Sequence, residues 1–398
     1  MQATDVILIF DIGKTNKKIL LFNKQYQLVY EEEVQFSEIQ DEQGDACENI
    51  EALTLWIKTS IQKLKSDHRF KISAIHYSAY GASFVYLNES GEIVAPLYNY
   101  LKPYKESTRE IFEKKYGSIS NLCLQTASPD LGNLNSGLQI FRLKLEQPEI
   151  FKKIKWALHL PQYIHYIVTG EFATDITSIG CHTFLWNFTT QSYHDWVIQE
   201  GIDKLFAPLK QKVGLHDSSA ALIPYFDAFE SPFILLSTGT WCISLNPFND
   251  SPLTDQELEK DALCYLSFQG KPVKAARLFA GNMHAEEVSK LKTLQLPALE
   301  YEKAYAVLMR KIVELQVAST NLILKGTTVK RIFVDGGFSK NEYYMNGLAN
   351  AFPNIEVYAA TIPQASAIGA ALCMHDVWNT HSKPNSLLAL KYYSSKQE

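Results

Sequence analysis

The chain has 398 residues, 46% of them hydrophobic and 12% aromatic, which suffices for a large core and for more than one domain. With 38 Lys+Arg against 43 Asp+Glu the net charge is −5, and no basic block of the kind that phosphate-backbone binding needs is present, so nucleic acid is not an expected partner. The six cysteines (Cys47, Cys123, Cys181, Cys242, Cys264, Cys373) show no CxxC spacing, which argues against a zinc site or a disulfide framework and for reduced thiols.

Val6–Phe10 is a continuous apolar run without the basic flank or cleavage site of a signal peptide, and no later run reaches the roughly 18–20 apolar residues of a membrane span. A cytoplasmic protein without membrane partners is expected. The run ends in Asp11-Ile12-Gly13-Lys14-Thr15-Asn16, and Lys17–Phe22 and Leu28–Phe36 follow as further strands. Two strands joined by a polar, Gly-containing turn make a hairpin, not the strand–loop–helix of a P-loop. Ile50–Leu64 has helical spacing, whereas Ile72–Tyr77 and Phe84–Leu87 read as strands around a turn at Gly81. Lys105 to about Gly201 reads as mostly helical.

After Pro232 the hairpin pattern returns, with strands Phe233–Leu236 and Trp241–Leu245 around Ser237-Thr238-Gly239-Thr240. A long helix within Tyr301–Leu324, strand Arg331–Val334, the turn Asp335-Gly336-Gly337, helix Asn341–Ala351, strand Ile355–Ala359 and helix Gln364–His375 complete the reading. The end, from about Ser394, is expected to fray. Two hairpin-led α/β halves suggest a duplicated architecture, divided into 1–228 and 229–398.

Three turns could carry chemistry. At the first, Asp11 sits where an apolar strand ends, Gly13 permits a tight turn, and Thr15, Asn16 and backbone N–H groups can donate to phosphate oxygens. Asp11 could orient a hydrated Mg²⁺. An ordinary hairpin turn has the same residue types. The Thr238-Gly239-Thr240 turn allows the same two readings. At Asp335-Gly336-Gly337 the paired glycines admit a flat ligand or ribose close to the backbone, or serve only a turn before a helix capped by Ser339.

The order of these turns resembles the sugar-kinase, Hsp70 and actin ATPase superfamily. Within it the chain is similar to the FGGY carbohydrate kinases, nearest their rhamnulokinase and fuculokinase branch. Val213-Gly214-Leu215-His216-Asp217-Ser218-Ser219-Ala220-Ala221 resembles the segment that carries that family's catalytic aspartate, supported by Thr169-Gly170, Thr174-Asp175, Thr177-Ser178 and Gln364–Ala371. The resemblance implies two actin-like (ribonuclease H-like) α/β domains with an interdomain cleft. It implies an ATP-dependent kinase acting on a ketose of the rhamnulose, fuculose or pentulose kind, with Mg²⁺. Asp217 becomes the catalytic base, where the residues alone favour a helix N-cap. Gly13, Lys14, Thr15, Asn16, Thr238, Gly239, Thr240, Gly336, Gly337 and Asn341 become ATP contacts. Gly81, Ala82, His216, Asp217 and Asn282 become sugar contacts, and Asp11 the metal-positioning carboxylate.

The pattern departs from the family in two places. The stretch between Thr240 and Asp335 is short, and Leu97–Tyr104 stands where many relatives carry an Asp and an Arg. The expected partners are ATP and a small sugar, with a homodimer as one permitted assembly. His159, His165, His182 and His194 show no metal-ligand spacing and read as structural. Two other readings retain the phosphate turns: an actin- or Hsp70-like ATPase without a sugar-facing base, and a degenerate, sugar-sensing kinase homologue.

Overall fold

The structure, a computed structural model, describes residues 3–360, 364–384 and 387–395. Of the stretch expected to fray, from about Ser394, residues 396–398 lie outside the described residues. Two compact units are present. The first comprises Met1–Ile223, Tyr265–Gly270 and Ser366–Asn385, and the second Pro224–Cys264, Lys271–Ala365 and Ser386–Glu398. Among the described residues no helix is long and apolar enough to cross a membrane.

The first unit is built on strands β1 (Thr4–Ile12), β2 (Lys17–Asn23), β3 (Leu28–Val34), β4 (Phe70–Ala79) and β5 (Leu215–His216), in the sheet order β5-β4-β1-β2-β3. β1 and β2 form an antiparallel hairpin with Asp11 opposite Lys18, while β4 runs parallel to both β1 and β5. Val6–Phe10 is wholly buried, as a central strand covered on both faces must be. The edge strand β3 instead alternates, and its Glu31 and Glu33 pair with Lys18 of β2. Helix Ile50–Lys65 buries Ile50, Leu53, Ile57, Ile61 and Leu64, one stripe at helical spacing, and Asn49 caps it by accepting the Ala52 N–H. Each such side chain contributes about 1.5–3 kcal/mol by burial.

The stretch 105–201 is less uniformly helical than its composition suggests. Trp156–His159 is a strand, paired antiparallel with Phe84–Leu87, and Trp186–Asn187 pairs with Ser192–Tyr193.

The second unit repeats the plan. β6 (Phe233–Thr238) and β7 (Cys242–Asn246) form its hairpin, followed by β8 (Ala262–Leu266, of which Tyr265 and Leu266 are counted in the first unit), β9 (Pro272–Leu278), β10 (Arg331–Gly336), β11 (Glu356–Ala360) and β12 (Leu390–Tyr393). Their order is β8-β9-β7-β6-β10-β11-β12, with β6 parallel to β10 as β1 is to β4. Helix Ala298–Leu324 buries Met309, Ile312, Val313, Gln316 and Ile323 in this unit. Strands β8 and β9 and helix Ala280–Thr293 fall where the sequence offered no assignment.

Candidate active site

The C-terminal ends of β1, β4 and β5 lie side by side. Register places Asp11 beside Ser78, and His216 beside Ala79. Three parallel strands therefore deliver Asp11, Tyr80-Gly81-Ala82 and His216-Asp217 to one edge of the first unit's sheet, where parallel sheets hold their ligands.

Asp217 is the first residue of helix Asp217–Ala228. Its Oδ1 accepts the Ser218 N–H at 2.6 Å and the Ser218 hydroxyl at 3.2 Å. That is a bond to the adjacent residue, unlike an N-cap's reach to the N–H two or three residues on. Although 38% of its side-chain surface stays open, the protein packed around the carboxyl pushes it up to about 6. Asp11 is also raised to about 6, first by burial and further by the charge of Asp217, against a lowering by Ser366, whose hydroxyl donates to Asp11 Oδ2 at 2.9 Å. Two carboxylates thus share one electrostatic neighbourhood. A divalent cation beside Asp11 would supply the counter-charge its burial denies it, and an oxygen donor of this kind suits Mg²⁺.

Ser366 arrives on helix Ala365–Cys373, which packs closely on the helix of Asp217: a Cβ on Gly369 would lie 1.9 Å from the Ala220 carbonyl oxygen. His216 is held from behind. Its N–H donates to Thr177 Oγ1 at 3.0 Å, and Thr177 is fixed by Asp175, whose Oδ1 accepts the Thr177 N–H at 2.8 Å. Burial pushes Asp175 up to about 7. Gly81 lies against the His216 ring, since a Cβ there would be 2.5 Å from Nε2, and Ala82 adopts a left-handed φ of 63°. Tyr100 belongs to this neighbourhood; burial and then the Asp217 charge raise its phenol.

In the Gly13–Asn16 turn the Gly13 N–H donates to Asn16 O at 2.9 Å, and Thr15 is exposed. Lys14 is engaged with Glu38 at 2.8 Å. Below it the buried Lys17 donates to Lys14 O at 2.8 Å and pairs with the buried Glu48 at 2.9 Å. Tyr80 also donates to Glu48, at 3.3 Å. Neither Lys17 nor Glu48 stood out in the sequence, where a Lys in a strand and a distant Glu carry no mark of their pairing.

In the second unit the Thr238 hydroxyl donates to Asp335 O and accepts the Phe338 N–H at 3.1 Å, so this side chain ties its hairpin to the Gly336 turn. Gly336 has φ 84°, and a Cβ there would be 1.9 Å from Thr238 O. Gly281 is equally close to Gly239 O. Gly239, Thr240 and Gly337 remain exposed. The helix after this turn is capped by Asn341, which accepts the Tyr344 N–H, and not by Ser339, whose hydroxyl donates to Gly336 O. The Asn341 amide also donates to Tyr305 at 2.7 Å. Asn282 lies inside helix Ala280–Thr293, which is entered from Phe279, and donates to Glu286 at 2.6 Å. The expected residues therefore separate: Asp11, Gly13–Asn16, Gly81, Ala82, His216 and Asp217 belong to the first unit, and Thr238–Thr240, Asn282, Gly336, Gly337 and Asn341 to the second.

Beside His216, Cys181 and His182 complete a buried group whose potential ligand atoms all lie within 4.8 Å of one another. Sequence spacing had set His182 aside as structural. The adjacency of Cys181 and His182 was the one available signal, and its third member is 34 residues away from His182.

Solved structures of similar fold include a carbohydrate kinase from Novosphingobium aromaticivorans (TM-score 0.81, 20% identity, 99% of this chain and 95% of that one). A xylulose kinase from Lactobacillus acidophilus gives a TM-score of 0.82 at 16% identity over 98% of this chain and 94% of that one. These likenesses carry the two-unit actin-like fold. Among curated proteins the chain is similar to a rhamnulokinase of Halalkalibacterium halodurans, 25% identical over 263 residues, or 59% of this chain and 55% of that protein. It is also similar to an L-fuculokinase of Escherichia coli, 24% identical over 266 residues, or 60% and 55%. The match thus spans about half the length of these relatives. Residues 6–204 match the model of the N-terminal domain of the FGGY family of carbohydrate kinases, half of the chain, and the protein belongs to that family.

Proposed function

We propose that the protein is an ATP-dependent sugar kinase that moves the γ-phosphoryl group of ATP to a hydroxyl of a ketose of the rhamnulose, fuculose or pentulose kind. The observation that carries this reading is the convergence of Asp217, His216, Gly81 and Asp11 at the ends of β1, β4 and β5. The curated relatives named above for rhamnulose and fuculose kinases favour a ketose as acceptor.

Phosphoryl transfer depends on positioning and charge. Asp217 accepts the proton of the sugar hydroxyl as its oxygen bonds to the γ-phosphorus, while the bond from that phosphorus to the β,γ-bridging oxygen breaks and ADP leaves; the proton then passes to water. Gly81 and Ala82 let the sugar approach the backbone, and His216 hydrogen-bonds a neighbouring hydroxyl. Asn282 joins the sugar contacts by exchanging its bond to Glu286. Gly13, Lys14, Thr15 and Asn16 in one unit, and Thr238, Gly239 and Thr240 in the other, hold phosphate oxygens. With Lys14 engaged by Glu38 and the Thr238 hydroxyl by Asp335, backbone N–H groups and the exposed Thr15 and Thr240 carry most of that work. Gly336 and Gly337 accommodate the nucleoside beside Asn341. Asp11 would hold Mg²⁺ through water, and the ion would supply positive charge to the phosphates.

The test is a coupled assay with ATP·Mg²⁺ and a ketose panel on wild type and Asp217→Asn. One ketose is expected to be phosphorylated, with kcat falling about 10²–10⁴-fold in the variant and sugar binding retained. An equally fast variant would remove Asp217 from the role of base.

A further inference from the structure

We propose that Cys181, His182 and His216 form a binding site for a borderline-soft divalent metal ion of the zinc class, set directly behind Asp217. Among the described residues this is the one group of three such side chains close enough to share an ion. All three are buried. Cys181 Sγ lies 3.1 Å from His216 Nε2, and the His182 and His216 rings stand at 86° with centroids 6.1 Å apart. In a tetrahedral zinc site, ligand atoms about 2.0–2.3 Å from the metal are separated from one another by about 3.3–3.6 Å. The present spread of up to 4.8 Å closes to that by side-chain shifts of about an ångström.

Local geometry prepares both histidines. His182 sits at φ 38°, a left-handed turn that brings its ring to the same side as the preceding cysteine. Its Nδ1 donates to the Leu134 carbonyl at 3.1 Å, the tautomer that carries its lone pair on Nε2. His216 Nδ1 lies 3.2 Å from both Asp217 Oδ1 and the Ser218 backbone nitrogen. The Ser218 N–H bonds more closely to Asp217 Oδ1, at 2.6 Å, so metal binding selects the ring with its proton on Nδ1, donating to the carboxylate and presenting the Nε2 lone pair beside Cys181. A carbonyl behind one ligating imidazole and a carboxylate behind the other are the outer contacts that orient metal-bound histidines. A third buried imidazole, His159, couples electrostatically to both rings and has no hydrogen-bond partner at Nδ1. Tetrahedral coordination would take a water molecule as the fourth ligand.

Binding replaces the Cys181 S–H bond with an S–metal bond and releases the thiol proton to solvent. It also occupies His216 Nε2 and keeps that ring's proton on Nδ1, donating to the Asp217 carboxylate. If Asp217 is the base and His216 meets a sugar hydroxyl, as the kinase reading has it, the ion and the sugar compete for His216 and the bound ion slows phosphotransfer; the binding itself does not depend on that reading.

The full chain, stripped with a chelator and kept reduced, is titrated with Co²⁺ and followed by absorption. One equivalent is expected to give a thiolate-to-cobalt charge-transfer band and the visible bands of a tetrahedral ion, both abolished by Zn²⁺. Cys181→Ser should lose the charge-transfer band, and His182→Asn should weaken Co²⁺ binding at least tenfold. Should Cys181→Ser fail to fold, wild type and His182→Asn, matched by circular dichroism, decide the matter. Absence of the band in wild type, its persistence in Cys181→Ser, or unchanged affinity in His182→Asn overturns the proposal. None of these readouts involves sugar or ATP, so a failed kinase assay leaves them standing.

Discussion

Lys17 and Glu48 show how a single buried pair can set the shape of a loop. Their side chains are 2% and 4% exposed, and the lysine also donates to the carbonyl of Lys14, in the middle of the first turn. Removing one charge of such a pair leaves the other stranded in low dielectric, at a cost of about 3–5 kcal/mol. Glu48→Gln should therefore lower stability by about that much in urea denaturation, and the double variant Glu48→Gln/Lys17→Met should recover part of it. Equal stability of Glu48→Gln and wild type would show the pair to be dispensable. At this scale the sequence was half legible. Asp11 and Gly81 could be picked out because they follow apolar strands, whereas His216 and Asp217 were marked only by the resemblance of Val213–Ala221 to the family's segment. Their supports, Glu48, Ser366 and Cys181, meet them only through tertiary contact, and spacing along the chain holds no trace of that.

Elements were more legible where their pattern was strong. Both glycine-bearing hairpins, the helix from Ile50 and the long helix ending at Leu324 follow from apolar periodicity that the core then buries. Trp156–His159 was hidden inside a helical-looking stretch because four residues are too few to show a period, and it is a partner strand that makes it extended. Helix Ala365–Cys373 owes its position to its glycine. With a methyl group at residue 369 aimed at a backbone oxygen, that helix must shift, so Gly369→Ala should cost about 1–3 kcal/mol. The shift would also move Ser366 from Asp11. A thermal melt that Gly369→Ala leaves unchanged would mean the two helices have slack between them.

For the molecule as a whole, acid stability has an identifiable contributor. His76 is buried in β4 with Nε2 lacking a hydrogen-bond partner, and burial, then the charges of His165 and Lys212, lower it to about 3. The unfolded chain takes up this proton near pH 6.5 and the folded chain only near 3, so stability falls as pH drops through that window. By pH 5 the loss should be about 2 kcal/mol. His76→Phe should flatten the decline of the urea midpoint between pH 7 and 5 by that amount, and a parallel decline in both proteins would assign it elsewhere. The first unit also has a consequence for biosynthesis. Ser366 bonds to Asp11 across 355 positions of sequence, and Tyr26 packs on His375 and Trp378 from the same late stretch. A nascent chain must hold its earliest strands unfinished until residues 366–378 have emerged, so this unit of the protein cannot mature vectorially, and a chain arrested before them leaves an open sheet for chaperones to guard.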